Sequence, residues 1–138
     1  MRTGTATSRA VAAEAWAPVL AAAGVQAQGL GEQILSIAHE IALHPLRGPL
    51  TDPGREPDDK AVLAARLFTG RADERVIALV QALVRGRWSR PVDLISALHD
   101  LGIQAILTGA RAGGTLESVE QELFAVLRLL SDSREVRE

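Results

Sequence analysis

Apolar residues recur at three- and four-residue spacing along almost the whole chain, and the pattern breaks only where Gly or Pro falls. A period near 3.6 puts such residues on one side of a helix, whereas a strand changes face at every second residue. The spacing therefore points to helices before composition is weighed. Composition agrees, because 23 of the 138 residues are Ala and aromatics make up 3%, while sheets favour β-branched and aromatic side chains. A chain of this length fits one all-α domain, and the expectation is a compact bundle of six helices over residues 1–132 with a charged tail at 133–138.

The first segment runs from about Thr7 to Ala23, with Ser8 as a candidate N-cap and Gly24 as its stop. A second begins near Leu30, aligns Leu30, Ile34, Ile37, Ala38 and Ile41 on one face, and ends at His44-Pro45. Thr51-Asp52-Pro53-Gly54 is the strongest turn signal. The third segment opens at Glu56-Pro57-Asp58-Asp59 and stops at Gly70; Asp73 opens the fourth, which ends at Gly86. Ser89-Arg90-Pro91 opens the fifth, which reaches about Ala112 and the Gly113-Gly114 stop, and Thr115 caps a sixth along Leu116, Val119, Leu123, Val126, Leu127 and Leu130.

The fifth helix carries two apolar sectors, one of Leu94, Leu98, Leu101 and Ala105, the other of Val92, Ile95, Gly102, Ile103 and Ile106. Two readings stand: a central helix packed on both sides, or a helix whose second sector joins the Ala-rich first helix to line a groove for a partner helix.

Chemistry is scarce. No Cys is present, which excludes disulfides, thiolate metal sites and a Cys nucleophile. His39 and His44 are five apart, about 140° around a helix, where a zinc helix needs them four apart and stacked; no metal site is expected. Gly29-Leu30-Gly31 and Gly113-Gly114 lack the strand and Lys of a phosphate-cradling loop and read as helix stops. A net charge of −2 removes the broad basic footprint of a nucleic-acid binder. The basic run Arg85-Gly86-Arg87-Trp88-Ser89-Arg90 reads as Trp88 packed at a turn with its arginines solvated. Glu14 and Pro18 argue against a secretory signal at the apolar start, and no uncharged run reaches the ~18–20 residues of a bilayer span. No cofactor and no catalytic residue are expected. Two other classes remain: a helical regulator or adaptor holding a small apolar ligand in an enclosed pocket, and a helical enzyme, which lacks any visible acid–base or nucleophile set.

Five stretches in order resemble the amino-terminal domain of the delta subunit of bacterial F-type ATP synthase, the family of the mitochondrial oligomycin-sensitivity-conferring protein. Ser8-Arg9-Ala10-Val11-Ala12-Ala13-Glu14-Ala15-Trp16 is similar to the family's opening Ala-Arg-x-Tyr-Ala-x-Ala-x-Phe, and Leu46-Arg47-Gly48-Pro49-Leu50-Thr51-Asp52-Pro53 to its Leu-Arg-x-x-Leu-Thr-Asp-Pro. Lys60-Ala61-x-Leu63 follows at the family spacing. Arg87-Trp88-Ser89 with Asp93-Leu94-Ile95-x-Ala97-Leu98, and Ser118-Val119-Glu120-Gln121-Glu122-Leu123-Phe124, resemble stretches of its high-GC versions.

The resemblance implies a six-helix domain on top of the catalytic head, at the cytoplasmic face of the membrane. It implies a stator role without catalysis, with the amino-terminal helix of an alpha subunit received between the first and fifth helices. Carried over by position, the first-helix contacts are Val11, Ala12 and Ala15; the helical wheel adds Val92, Ile95, His99 and Ile103 from the fifth. Val11 stands where the family usually has Tyr. The family continues into a carboxy-terminal domain that grips the stalk b subunit, and Arg134-Glu135-Val136-Arg137-Glu138 falls where that region would begin.

Overall fold

The computed structural model describes residues 5–44, 46–114 and 116–137. The described elements are helices: α1 (Thr5–Ala23), α2 (Ala27–Leu43), α3 (Arg47–Thr51), α4 (Pro57–Phe68), α5 (Glu74–Arg85), α6 (Pro91–Gly113) and α7 (Leu116–Arg137). Six of them are long and form an all-α bundle, as the spacing predicts.

Four local expectations change. α1 opens at Thr5, so Ser8 lies inside it, and the Ser8 Oγ donates instead to the Arg87 carbonyl at 2.6 Å. Gly24 does end α1, at φ +56°, but only one 3-10 turn (Gly24–Gln26) separates it from α2, which starts at Ala27. Gly29 and Gly31 therefore sit within α2 rather than stopping a helix. A five-residue helix, α3, precedes the Asp52 turn, where Asp52 Oδ1 accepts from the Gly54 N–H at 2.8 Å. The candidate cap Thr115 lies outside the described residues.

Helix α6 is the axis of the molecule and touches α1, α2, α3 and α7. Leu94, Leu98 and Ala105 of its first sector are fully buried, and Ile95 and Ile106 of its second are 6% exposed. Packing on both sides is therefore the observed arrangement for most of the helix. Its seam with α2 is made by glycine. A Cβ added at Gly31 would strike the Gly102 carbonyl and come within 2.8 Å of the Ile106 nitrogen, and one at Gly109 would come within 2.9 Å of Gln28 Cα. Only a missing side chain permits that approach.

On the other side, α4 and α5 pair with each other, and α5 closes against α1 and α2. Trp88 is buried at the α5–α6 turn, as expected, and its Nε1 donates to the Leu83 carbonyl at 2.8 Å. By mean hydropathy, an 18-residue window within 5–43 reaches the range of a membrane span, although no uncharged run there is that long. Its alanines and valines outweigh Glu14 in the mean. The stretch is not one rod, however: it turns at Gly24, and both helices present a buried face to the core.

Candidate functional site

Helix α1 carries only Arg9 and Glu14 as charged residues, yet it buries a single face, made by Ala12, Trp16, Leu20 and Ala23. Ala6, Ala10, Ala13, Ala17 and Ala21 are exposed on its outer side. A helix that is apolar all round ordinarily lies inside a protein or against a partner. The exposed apolar surface of α1 marks it as the place to look for an interface.

Its two flanks differ. Toward α6, polar contacts span the boundary: Arg9 reaches Asp100 at 2.6 Å and Ser96 at 2.8 Å, and the Thr5 hydroxyl donates to Asp93 at 3.1 Å. Toward α5 the boundary is an open groove. One end is lined by Thr7, Ser8, Val11, Ala82, Arg85 and Arg87, the other by Ala15, Val19, Arg75, Ala78 and Ala82, with Trp16 and Leu79 as floor. Ala82 borders both hollows, which are neighbours along the α1–α5 boundary. Ala78, Ala82 and Arg85 follow i, i+4, i+7 on the outer side of α5, opposite Val11 and Ala15 on α1.

The residues named from sequence separate on this map. Val11, 60% exposed, borders one hollow against α5, and Ala15, also exposed, borders the other. Ala12 and Ile95 are core residues, 2% and 6% exposed. Val92 and His99 are exposed and Ile103 is half-buried on the outer surface of α6, where Ile103 borders a hollow with Asp100, Leu107 and Arg111. The structure thus brings Val11 and Ala15 together and sets the α6 residues on a different surface. Ala78, Ala82, Arg85 and Arg87 were not picked out as a site by sequence reasoning. The signal lay in α5 itself: alanines at two outward positions of a helix that is otherwise sharply two-faced.

The electrostatics of the groove come from arginine. At one end Arg75 grips Asp73 through Nε (2.9 Å) and a terminal nitrogen (3.0 Å). Those bonds and the Arg75 backbone N–H hold the Asp73 carboxyl down at about 2. At the other end Arg85 pairs with Asp58 at 3.2 Å, and the guanidinium of Arg87 makes no hydrogen bond or ion pair among the described residues. Beneath Arg87, the buried Lys60 points its ammonium at the Gly86 carbonyl (3.4 Å), and burial lowers its pKa.

The groove is lined, among the described residues, by arginine, apolar and hydroxyl side chains with no carboxylate or His. Among the described residues no three His, Asp or Glu gather as a metal site, and His39 and His44 are both exposed. The hollows on α5 and α6 open to solvent and do not have the enclosed form that a small apolar ligand needs.

No family model matches the chain. Among curated relatives, it is 41% identical to the ATP synthase subunit delta of Beutenbergia cavernae, over 99% of this chain and 51% of that one. It is 40% identical to that of Frankia alni, over 96% of this chain and 49% of the relative. For Streptomyces griseus the values are 39% identity, 82% and 42%. The chain spans about half the length of the curated relatives it matches. On this similarity, which runs through nearly all of its residues, the chain belongs to the ATP synthase delta subunit family.

Proposed function

We propose that this chain serves as a non-catalytic stator element of an F-type ATP synthase, holding the catalytic head at the cytoplasmic face of the membrane so that rotor torque drives ATP synthesis. Its direct partner in this reading is the amino-terminal helix of an alpha subunit, and it reaches the stalk b subunit through the part of the delta subunit that these residues do not include. One observation carries the reading: α1 has only two charged residues yet buries a single face, and it leaves Val11 60% exposed beside Ala82 of α5.

The family resemblance puts the partner between the first and fifth helices. We take that fifth helix to be α5: the sequence reading passed over α3 and so numbers α6 as fifth, whereas counting α3 makes seven helices with α5 in fifth place. The docking surface proposed here is therefore the α1–α5 groove. Alanine walls let a partner backbone come close, and each Å² of apolar surface covered is worth about 25 cal/mol before association costs. Ala12 supports this wall from beneath, while Ile95 belongs to the core under α6.

The test is titration of the chain with a synthetic alpha-subunit amino-terminal helix. Ala15→Arg and Ala82→Arg, each filling the groove from one wall, should weaken binding at least about tenfold, or about 1.4 kcal/mol, with unchanged helicity by circular dichroism. Ile103→Arg, on the outer surface of α6, should leave affinity unchanged. If Ile103→Arg blocks binding and the two groove substitutions do not, the partner lies on α6, with Val92, His99 and Ile103 as its contacts.

A further inference from the structure

The arginines at the α1 amino-terminal end of the groove are not explained by apolar docking. Arg75, Arg85 and Arg87 line the two hollows, and no acidic side chain lines either of them. Arg75 is paired with Asp73, and Arg85 is held by Asp58, whose side chain is 88% exposed. Of these three, Arg87 is the one without a counter-ion among the described residues.

Its backbone, in contrast, is fixed from three directions. The Arg87 carbonyl accepts from Ser8 Oγ at 2.6 Å, Lys60 reaches the neighbouring Gly86 carbonyl at 3.4 Å, and Trp88 is buried with its indole N–H on Leu83. Gly86 lies so close to α1 that an added Cβ would come within 2.8 Å of Ser8 Cβ. A guanidinium on a rigid platform, beside an apolar hollow and without its own acid, is arranged to receive an anion presented by whatever fills that hollow. Guanidinium meets carboxylate in a two-pronged fit, which adds direction to charge.

We propose that Arg87, with Arg85 beside it, is a specificity-determining contact that accepts a carboxylate side chain of the docked helix and so fixes its register in the groove. The inference rests on the docking reading above. The bound helix has an apolar stripe of side chains over Val11 and Ala82 and an Asp or Glu within reach of Arg87. Asp58 releases Arg85 at little cost, because that pair is exposed.

The experiment titrates the chain with the synthetic alpha-subunit helix and with peptides in which each Glu or Asp is changed singly to Gln or Asn. Arg87→Gln should weaken binding about three- to tenfold at low ionic strength. That loss should shrink between ~10 mM and ~1 M salt, as the screening length falls from about 30 to about 3 Å. One peptide carboxamide substitution should cost the same and add nothing to Arg87→Gln in a double-mutant cycle. Arg111→Gln, on α6, is the control and should change nothing.

If Arg87→Gln and every carboxamide peptide bind as the parent does while Ala82→Arg still blocks binding, the groove stands and the carboxylate contact is wrong. Loss of both Ala82→Arg and Arg87→Gln effects removes the docking surface itself. A single-stranded oligonucleotide that binds the chain through Arg87 and displaces the peptide would overturn the assignment to a carboxylate.

Discussion

At Asp73 a single carboxylate accepts from the Arg75 backbone N–H at 2.8 Å and from its guanidinium, closing the first turn of α5. Its folded pKa of about 2 lies below the ordinary 3.8. The stabilisation it gives is therefore complete above the ordinary value and is lost as pH falls from 3.8 through about 2. Asp73→Ala should cost about 1 kcal/mol in urea unfolding at neutral pH, and the difference from the parent should narrow in that acid window. A constant difference down to the lowest pH would show that the charge plays no part. Asp73 as a helix opener and Trp88 as a packed turn residue are both legible from residue type and neighbours. The position of Arg87 is not, since Ser8 lies 79 positions away and only the fold brings the two together.

At the scale of elements, the long helices are legible because apolar spacing and Gly or Pro stops agree. Helix α3 escapes because two of its five residues are Gly48 and Pro49, which signal a turn. That one omission shifted the helix count and with it the helix proposed as the second wall of the groove. Gly31 misleads in the opposite way: a residue that usually ends helices is needed inside one, because α6 presses its backbone there. Gly31→Ala should destabilise the bundle by about 1–3 kcal/mol through overpacking. Gly29→Ala, which meets nothing within 4 Å, should instead stabilise it by roughly 0.5–1 kcal/mol, as a helix-interior Gly-to-Ala change does. Thermal melts of the two variants separate local helix preference from the seam; a neutral Gly31→Ala would mean that the helices can part.

Over the whole molecule, apolar exposure is concentrated on α1 and on α7, where Phe124 is 65% and Leu129 66% exposed. Among the described residues, α7 packs chiefly on α6, through Leu123 against Ile106 and Ala110. Free in solution, the chain should bind a hydrophobic dye and self-associate as its concentration rises. Phe124→Lys with Leu129→Lys should reduce both, as read by dye fluorescence and sedimentation; unchanged values would place the sticky surface on α1. The glycine seam between α2 and α6 has a mechanical consequence. Helices held apart by long side chains can slip as those chains change rotamer, and such an interface yields under load like a soft spring. Where backbone rests on backbone, no rotamer is available to give way. A pull entering at α1 thus reaches a pair of helices that moves as one beam, and force passes through the bundle with little stretch.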